Sequence, residues 1–160
     1  MRSIYKIVVC SLLTLSITSC EKDLLEKEQY QKEIYLIGAY NRVWTTEVSY
    51  SNEEVKTYFT VSSSGTLALD RDVNVKMKIN EELVDIYNKK YWTVLNEDKY
   101  YKSLDTDLYS IPSLENTVIK HAEGISAEVP VLIKTASLKI DQSYVIPVEI
   151  ESTTGYPVST

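Results

Sequence analysis

Residue types that often carry chemistry are scarce in this sequence, whose 160 residues include two cysteines, one histidine and four glycines. Both cysteines, Cys10 and Cys20, lie within the first twenty residues, so the rest of the chain can form neither a disulfide nor a thiolate metal site. The single histidine, His121, excludes a His-cluster metal centre and is interpreted as a solvated residue near a strand end. Four glycines leave no Gly-rich phosphate loop.

Catalytic patterns are missing as well. No serine has the surroundings of a nucleophile elbow that could act together with His121. Acidic residues are plentiful, but pairs such as Glu81-Glu82 lie beside turn or helix-start signals, where a solvated role suffices. Asp105-Thr106-Asp107 has the acid-x-acid spacing of some glycoside hydrolases with no barrel around it, and it fits no EF-hand loop. The sequence therefore predicts a non-catalytic protein with no metal and no cofactor.

Positive charge is in deficit, since the chain has a formal net charge of −6. The first twenty residues contain Arg2 and Lys6 and no acid, so the net charge of the remaining residues is −6 − 2 = −8. Such a surface repels phosphate backbones, and we expect no nucleic-acid partner.

The first twenty residues have the organisation of a targeting segment. A short basic start precedes an apolar stretch at 7–17, which is far shorter than the roughly 20 residues that span a bilayer. Residues 17–20 resemble a lipobox, which predicts a lipoprotein signal peptide at 1–20 and lipidation of Cys20. The protein is then lipid-anchored at the outer membrane or cell surface. The alternative is a plain secretory signal with a cysteine present by chance.

The mature chain has the pattern of a β-protein. Residues 21–32 are mostly polar or charged and are predicted to form a flexible tether, followed by one domain at 33–160. Hydrophobic residues in this domain recur with a period near two, most clearly at 73–79. About seven short strands and one helix beginning near Asn80 predict an all-β, immunoglobulin-like antiparallel β-sandwich.

Individual aromatic residues refine this expectation. We expect Trp44 to be the buried tryptophan of the sandwich. Tyr144 precedes a strand in a manner typical of a tyrosine corner, in which the hydroxyl bonds to backbone a few residues upstream. Trp92 and Val94, and then Tyr100-Tyr101, are interpreted as strand with a loop between them.

Several segments resemble a known family. Residues 84–88, 91–101, 118–126 and 138–150 are similar to the domain of unknown function at the N-terminus of Bacteroidetes surface lipoproteins from glycan-utilisation loci, and of some family 18 glycoside hydrolases. The resemblance implies an immunoglobulin-like sandwich that binds or presents a glycan within an outer-membrane uptake complex. Asn96 stands where the family usually has proline. Family members continue into a further domain, which we expect to be absent because the sequence ends at Thr160.

Tyrosine dominates the aromatic residues, with 13 Tyr and 2 Trp against one Phe. Flat rings beside amide and carboxylate groups can stack on sugar faces and bind sugar hydroxyls. The candidate glycan-binding residues are Tyr91, Trp92, Asn96, Asp98, Tyr100 and Tyr101. The alternative to an oligosaccharide ligand is a purely structural spacer or an adhesin-type module for protein contacts.

Overall fold

The computed structural model describes residues 27–38, 43–92, 94–139 and 142–159. The predicted signal peptide, and Cys20 within it, lie outside these residues. The described strands, in chain order, are β1 (Ile34–Leu36), β2 (Glu54–Ser63), β3 (Val73–Ile79), β4 (Lys102–Ser103), β5 (Tyr109–Ser110), β6 (Thr117–Ile119), β7 (Ser126–Lys134), β8 (Tyr144–Val145) and β9 (Val148–Thr153). One α-helix, α1 (Glu82–Tyr91), and 3-10 turns at Val94–Lys99, Thr106–Leu108 and Thr135–Ser137 complete this part of the chain.

Seven of these strands form two antiparallel sheets, one in the order β1-β2-β7-β5 and the other in the order β6-β3-β9. In the first sheet, β1, β2, β7 and β5 correspond in spatial order to immunoglobulin strands A, B, E and D. The pair formed by β3 and β9 corresponds to strands C and F of the second sheet. The prediction of an all-β, immunoglobulin-like sandwich of about seven strands with one short helix is therefore confirmed. The remaining strands, β4 and β8, form a short parallel pair.

The core lies between the two sheets and is built from aliphatic side chains. Alternation along β3 turns Val73, Val75 and Met77 inward and the intervening polar residues outward, as the period of two requires. They pack against Ile34 of β1 and Ile119 of β6, and all five are essentially inaccessible to solvent. Burial of this kind stabilises the fold by about 25 cal/mol per Å² of apolar surface.

Trp44 is not part of this core, and the prediction that it is the buried sandwich tryptophan is wrong. Its side chain is 61% exposed. The space between the sheets is filled by β-branched and other aliphatic residues, which fit two closely facing pleated surfaces without an indole ring.

The helix begins where the sequence predicts and ends later than expected. The Asn80 side-chain oxygen accepts a hydrogen bond from the Glu82 N–H at 3.1 Å and so caps the first turn. Acids in the first turn and Lys89 and Lys90 in the last turn complement the helix dipole. Because α1 continues to Tyr91 and a 3-10 turn follows, the predicted strand at Trp92 and Val94 is wrong.

The predicted tyrosine corner is present near the second sheet. The Tyr144 hydroxyl accepts a hydrogen bond from the backbone N–H of Lys139, five residues upstream, at 3.4 Å, and it donates to the Gln142 side chain at 3.2 Å. This bond fixes the entry of the chain into β8 and then β9.

The C-terminal segment covers the outer edge of the first sheet. Val158 forms a parallel bridge with Ile34 of β1. The Ile34 N–H donates to the Pro157 carbonyl at 2.8 Å, and the Ser159 N–H donates to the Ile34 carbonyl at 2.9 Å. An edge that is already paired is less open to strand addition by another chain.

Part of the predicted tether lies against the domain. Glu28 accepts hydrogen bonds from the backbone N–H of Thr66 at 2.7 Å and of Leu67 at 3.3 Å, and it forms an ion pair with Lys32 at 2.5 Å. Lys32 also donates to the Leu67 carbonyl. Among the described residues, no helix is long and apolar enough to cross a membrane.

We expect this contact to be sensitive to acid. The ammonium of Lys32 and the N–H of Thr66 lower the pKa of Glu28 from 4.5 to about 2. A lowered pKa means that the carboxylate stabilises the fold above pH 4.5 and that this contribution is lost as pH falls toward about 2. Glu28→Gln should therefore lower the melting temperature at neutral pH, and its difference from the wild type should shrink across this range.

The matched control is Glu53→Gln, which neutralises another exposed acid in a loop. It should leave the melting curve close to the wild type at every pH. A difference in melting temperature between Glu28→Gln and the wild type that stays constant from neutral pH to about pH 2 would contradict the stabilising role of the Glu28 carboxylate.

Candidate functional site

A group of tyrosine rings lies at the C-terminal end of α1. Tyr87 and Tyr91 are four residues apart and therefore share one helix face, with ring centroids 4.5 Å apart. Tyr101 meets Tyr87 edge-on at 5.5 Å. Desolvation raises the pKa of Tyr87, whereas Tyr91 is 48% exposed. The group therefore has a packed base and a solvent-facing ring.

Asn88 fixes the position of Tyr101 relative to the helix. Its side chain is only 4% exposed, and its amide nitrogen donates to the Tyr101 carbonyl at 2.9 Å. Its amide oxygen accepts from the Tyr101 N–H, also at 2.9 Å. The side chain thus pairs with one backbone unit as a neighbouring strand would. Sequence reasoning missed this residue, since a polar residue in a short helix resembles any solvated position.

On one side of α1 lies a cleft of about 530 Å³, termed here the small groove, which is lined by residues of 81–88 and 97–103. Two of the predicted glycan-binding residues, Tyr100 and Tyr101, line it. Its charged lining residues are Glu81, Glu82, Asp85, Glu97 and Lys102. This surface is therefore strongly acidic.

The other predicted site residues are not gathered in this groove. Trp92 is half-buried beneath the Lys99 ammonium, which lies 5.6 Å from its ring, and its buried indole N–H has no hydrogen-bond partner among the described residues. Asn96 and Asp98 belong to the 3-10 turn at Val94–Lys99 and do not line the small groove. The structure thus brings Tyr91 and Tyr101 together through Tyr87 and leaves the predicted set dispersed around the end of α1.

A second cleft, of about 1030 Å³, lies on the other side of α1 and is termed here the large groove. Its walls are α1, the middle of β2, the C-terminal half of β7, and the segments 43–50 and 142–148. Its floor is the smaller of the two apolar clusters, formed by Leu104, Val131 and Ile133. The volume is at the upper end of the range for ligand clefts.

Exposed aromatic rings gather at the large groove. Trp44 is 61% exposed, Tyr50 is 62% exposed and Tyr58 is 42% exposed, and all three line the groove. Trp44 lies against Gly38, where an added Cβ would stand 2.8 Å from the indole ring. Positive φ at Gly38 and the absence of a side chain there allow this approach.

Sequence reasoning missed these rings because Trp44 fits a core role and Tyr50 and Tyr58 look like ordinary strand residues. The available signal was at β2, where Lys56 and Tyr58 alternate on one face with Val55 and Phe59 on the other. The Lys56 ammonium lies 5.0 Å from the centroid of the Tyr58 ring.

Several other ionisable groups form small surface pairs. His121 is exposed, and its ring nitrogen lies 2.6 Å from Asp72, whose pKa is lowered by this contact. Asp70 forms a bidentate ion pair with the Arg71 guanidinium, which holds the pKa of the Asp70 carboxyl below its usual range. The part of the chain that the structure describes contains no group of three or more acidic, histidine or cysteine side chains that could hold a metal ion.

A family model described as "-like, N-terminal domain" matches residues 30–157, most of the chain. No curated protein matches the chain. Three structures from Bacteroides ovatus share its fold. A protein provisionally described as carbohydrate binding is 19% identical with a TM-score of 0.60, and the alignment covers 80% of this chain and 34% of that one.

A protein of unknown function from structural genomics is 12% identical with a TM-score of 0.58, over 77% of this chain and 40% of that one. A multidomain protein including DUF1735 is 17% identical with a TM-score of 0.53, over 64% and 33% of the two chains. The chain thus spans a third to two fifths of the length of these proteins. The TM-scores show that these proteins share the fold of this chain. At identities this low, the likeness extends to the fold alone.

Proposed function

Because the chain belongs to this family of N-terminal domains, a Bacteroidetes domain of unknown function, we propose that it binds or presents a glycan at the cell surface. In this proposal Cys20 carries a lipid anchor in the outer membrane, and the domain is a non-catalytic member of a glycan-utilisation system. An outer-membrane uptake complex is its expected partner.

The observation that carries the proposal is the set of exposed rings around the large groove. Trp44, Tyr50 and Tyr58 present flat apolar surface to solvent from a cleft large enough for several sugar rings. Pyranose rings have apolar C–H faces that stack on such side chains, and their hydroxyls need polar partners nearby. Thr45 and Thr57 supply hydroxyls within the same lining.

One fold neighbour supports this reading, since it is provisionally described as a carbohydrate-binding protein. The alternative module for protein contacts would be favoured by an open strand edge near the C-terminus. The edge of β1 is covered there by Val158, whereas β9 is an edge strand that pairs, among the described strands, with β3 alone.

A second candidate function, a spacer or protein-contact module, has a further observation in its favour besides the edge of β9. Ile37 and Ile86 are also exposed at the large groove and offer aliphatic surface. Aliphatic side chains suit an apolar protein segment better than a sugar.

The experiment is a glycan array probed with the full chain and with single-residue variants. We expect Trp44→Ala and Tyr58→Ala each to weaken binding roughly fivefold to tenfold, which corresponds to the loss of one aromatic contact. Tyr100→Ala, which removes a ring from the small groove alone, is the matched control and should bind like the wild type.

The variants are informative only if they remain folded, which circular dichroism and the melting temperature report. A folded wild-type chain that binds nothing on the array would contradict the proposal and favour the protein-contact module. Binding that is lost only in Tyr100→Ala would place the glycan-binding surface at the small groove. Tyr100 is one of the residues that the sequence predicts to bind glycan.

A further inference from the structure

We propose that the large groove prefers oligosaccharides that carry carboxylates, such as those built from uronic acids. This inference rests on the proposed function, because it names the class of glycan that the domain binds. It is carried by the charges and rings that meet in the groove.

The charge of the large groove is opposite to that of the molecule. The chain has a net charge of −6, yet the charged side chains among the described lining residues are Lys90, Lys139 and Glu47. A cationic cleft on an acidic surface attracts anionic ligands and repels cationic ones.

The two grooves lie on opposite sides of α1, and their charged lining residues differ in sign. Glu82 and Asp85 face the small groove, whereas Lys90, in the last turn, lines the large groove. The Lys90 ammonium also lies 5.5 Å from the centroid of the Tyr91 ring, which places it at the helix end. A carboxylated ligand would therefore be repelled on one side of the helix and attracted on the other.

Rings and cations together match the chemistry of a uronic acid. Such a sugar has an apolar C–H face and a carboxylate at the rim of the same ring. Trp44 and Tyr50 offer exposed aromatic faces in the groove, and Lys90 and Lys139 belong to the same lining. Stacking orients the sugar, and the ion pair with lysine distinguishes an acidic sugar from its neutral counterpart.

The test compares acidic oligosaccharides with neutral forms of the same sugars. The probes are oligogalacturonate, oligomannuronate and glucuronoxylan oligosaccharides, each beside its methyl ester. Titration calorimetry with the full chain should show at least one acidic probe binding roughly tenfold tighter than its ester, as two solvent-exposed ion pairs of about threefold each allow. Raising the salt concentration from 0.05 to 0.5 M should remove most of this preference, since about 0.5 M salt shortens the screening length to a few ångströms.

The variants Lys90→Ala and Lys139→Ala should each reduce the ratio of acid to ester affinity about threefold. Lys89→Ala, an exposed neighbour on α1 that does not line the groove, is the matched control. Equal binding of each acid and its ester would overturn the preference and leave glycan binding intact. Failure of all these probes beside a positive array of neutral glycans would also overturn it, whereas an empty array would overturn both proposals.

Discussion

We expect Cys20→Ala to abolish attachment of fatty acid to the protein. In the proposed precursor the Cys20 thiol is the atom that accepts the lipid, and alanine offers no nucleophile in its place. Each buried methylene of an acyl chain contributes about 0.8 kcal/mol to membrane binding, so loss of the lipid should release the protein from the membrane fraction. Labelling of expressing cells with a tagged fatty acid, followed by detergent phase separation, measures both effects.

The matched control is Cys10→Ala, which removes the other cysteine from within the predicted signal peptide. It should keep the full label and stay in the detergent phase. A label that persists in Cys20→Ala, or that disappears in Cys10→Ala, would contradict the lipobox and favour a plain secretory signal.

Asn88→Ala is expected to destabilise the domain by about 2 to 3 kcal/mol, because truncation leaves two partly buried backbone groups of Tyr101 without partners. Chemical denaturation monitored by circular dichroism should show a lower midpoint with an unchanged slope.

Two companions separate the hydrogen bonds from the helix itself. Lys89→Ala alters the next residue of α1 at an exposed position and should change stability by less than about 0.5 kcal/mol. Asn88→Asp keeps an acceptor for the Tyr101 N–H but loses the donor to the carbonyl, so it should also destabilise. If Asn88→Ala unfolded at the wild-type midpoint, the assigned role of this amide would be wrong.

Local patterns in the sequence were sufficient for much of the fold. Alternation at 73–79 corresponds to β3, because a strand with one buried face must repeat every second residue. Asn80 caps α1 and Tyr144 forms its corner, since both roles depend on atoms a few residues away. Such short-range chemistry can be read without knowledge of the rest of the chain.

Apolar residues outside the core account for the errors. Val94 and Leu95 look like part of a buried strand, yet Leu95 is 93% exposed on the turn that follows α1. Trp44 resembles the core tryptophan of an immunoglobulin domain but lies on the rim of the large groove. Composition alone does not distinguish an indole that fills a core from one that lies exposed beside a groove.

The large groove could not be predicted, because its lining comes from parts of the chain that are distant in sequence. Trp44 precedes β2, Lys90 lies in the last turn of α1, and Tyr144 belongs to β8. Only the tertiary packing brings them to one cleft. The predicted glycan-binding residues were instead neighbours in sequence, and α1 distributes them around its end.

The most direct test of glycan binding in the large groove uses the two indole N–H signals of the protein in an NMR titration. Trp44 is exposed in the groove and Trp92 is half-buried away from it, and Trp44→Phe assigns the two signals. With an oligosaccharide selected from the array, the Trp44 signal should shift in proportion to saturation while the Trp92 signal stays in place. A saturable shift of Trp92 alone, or no shift of either indole with a glycan that binds, would contradict the account.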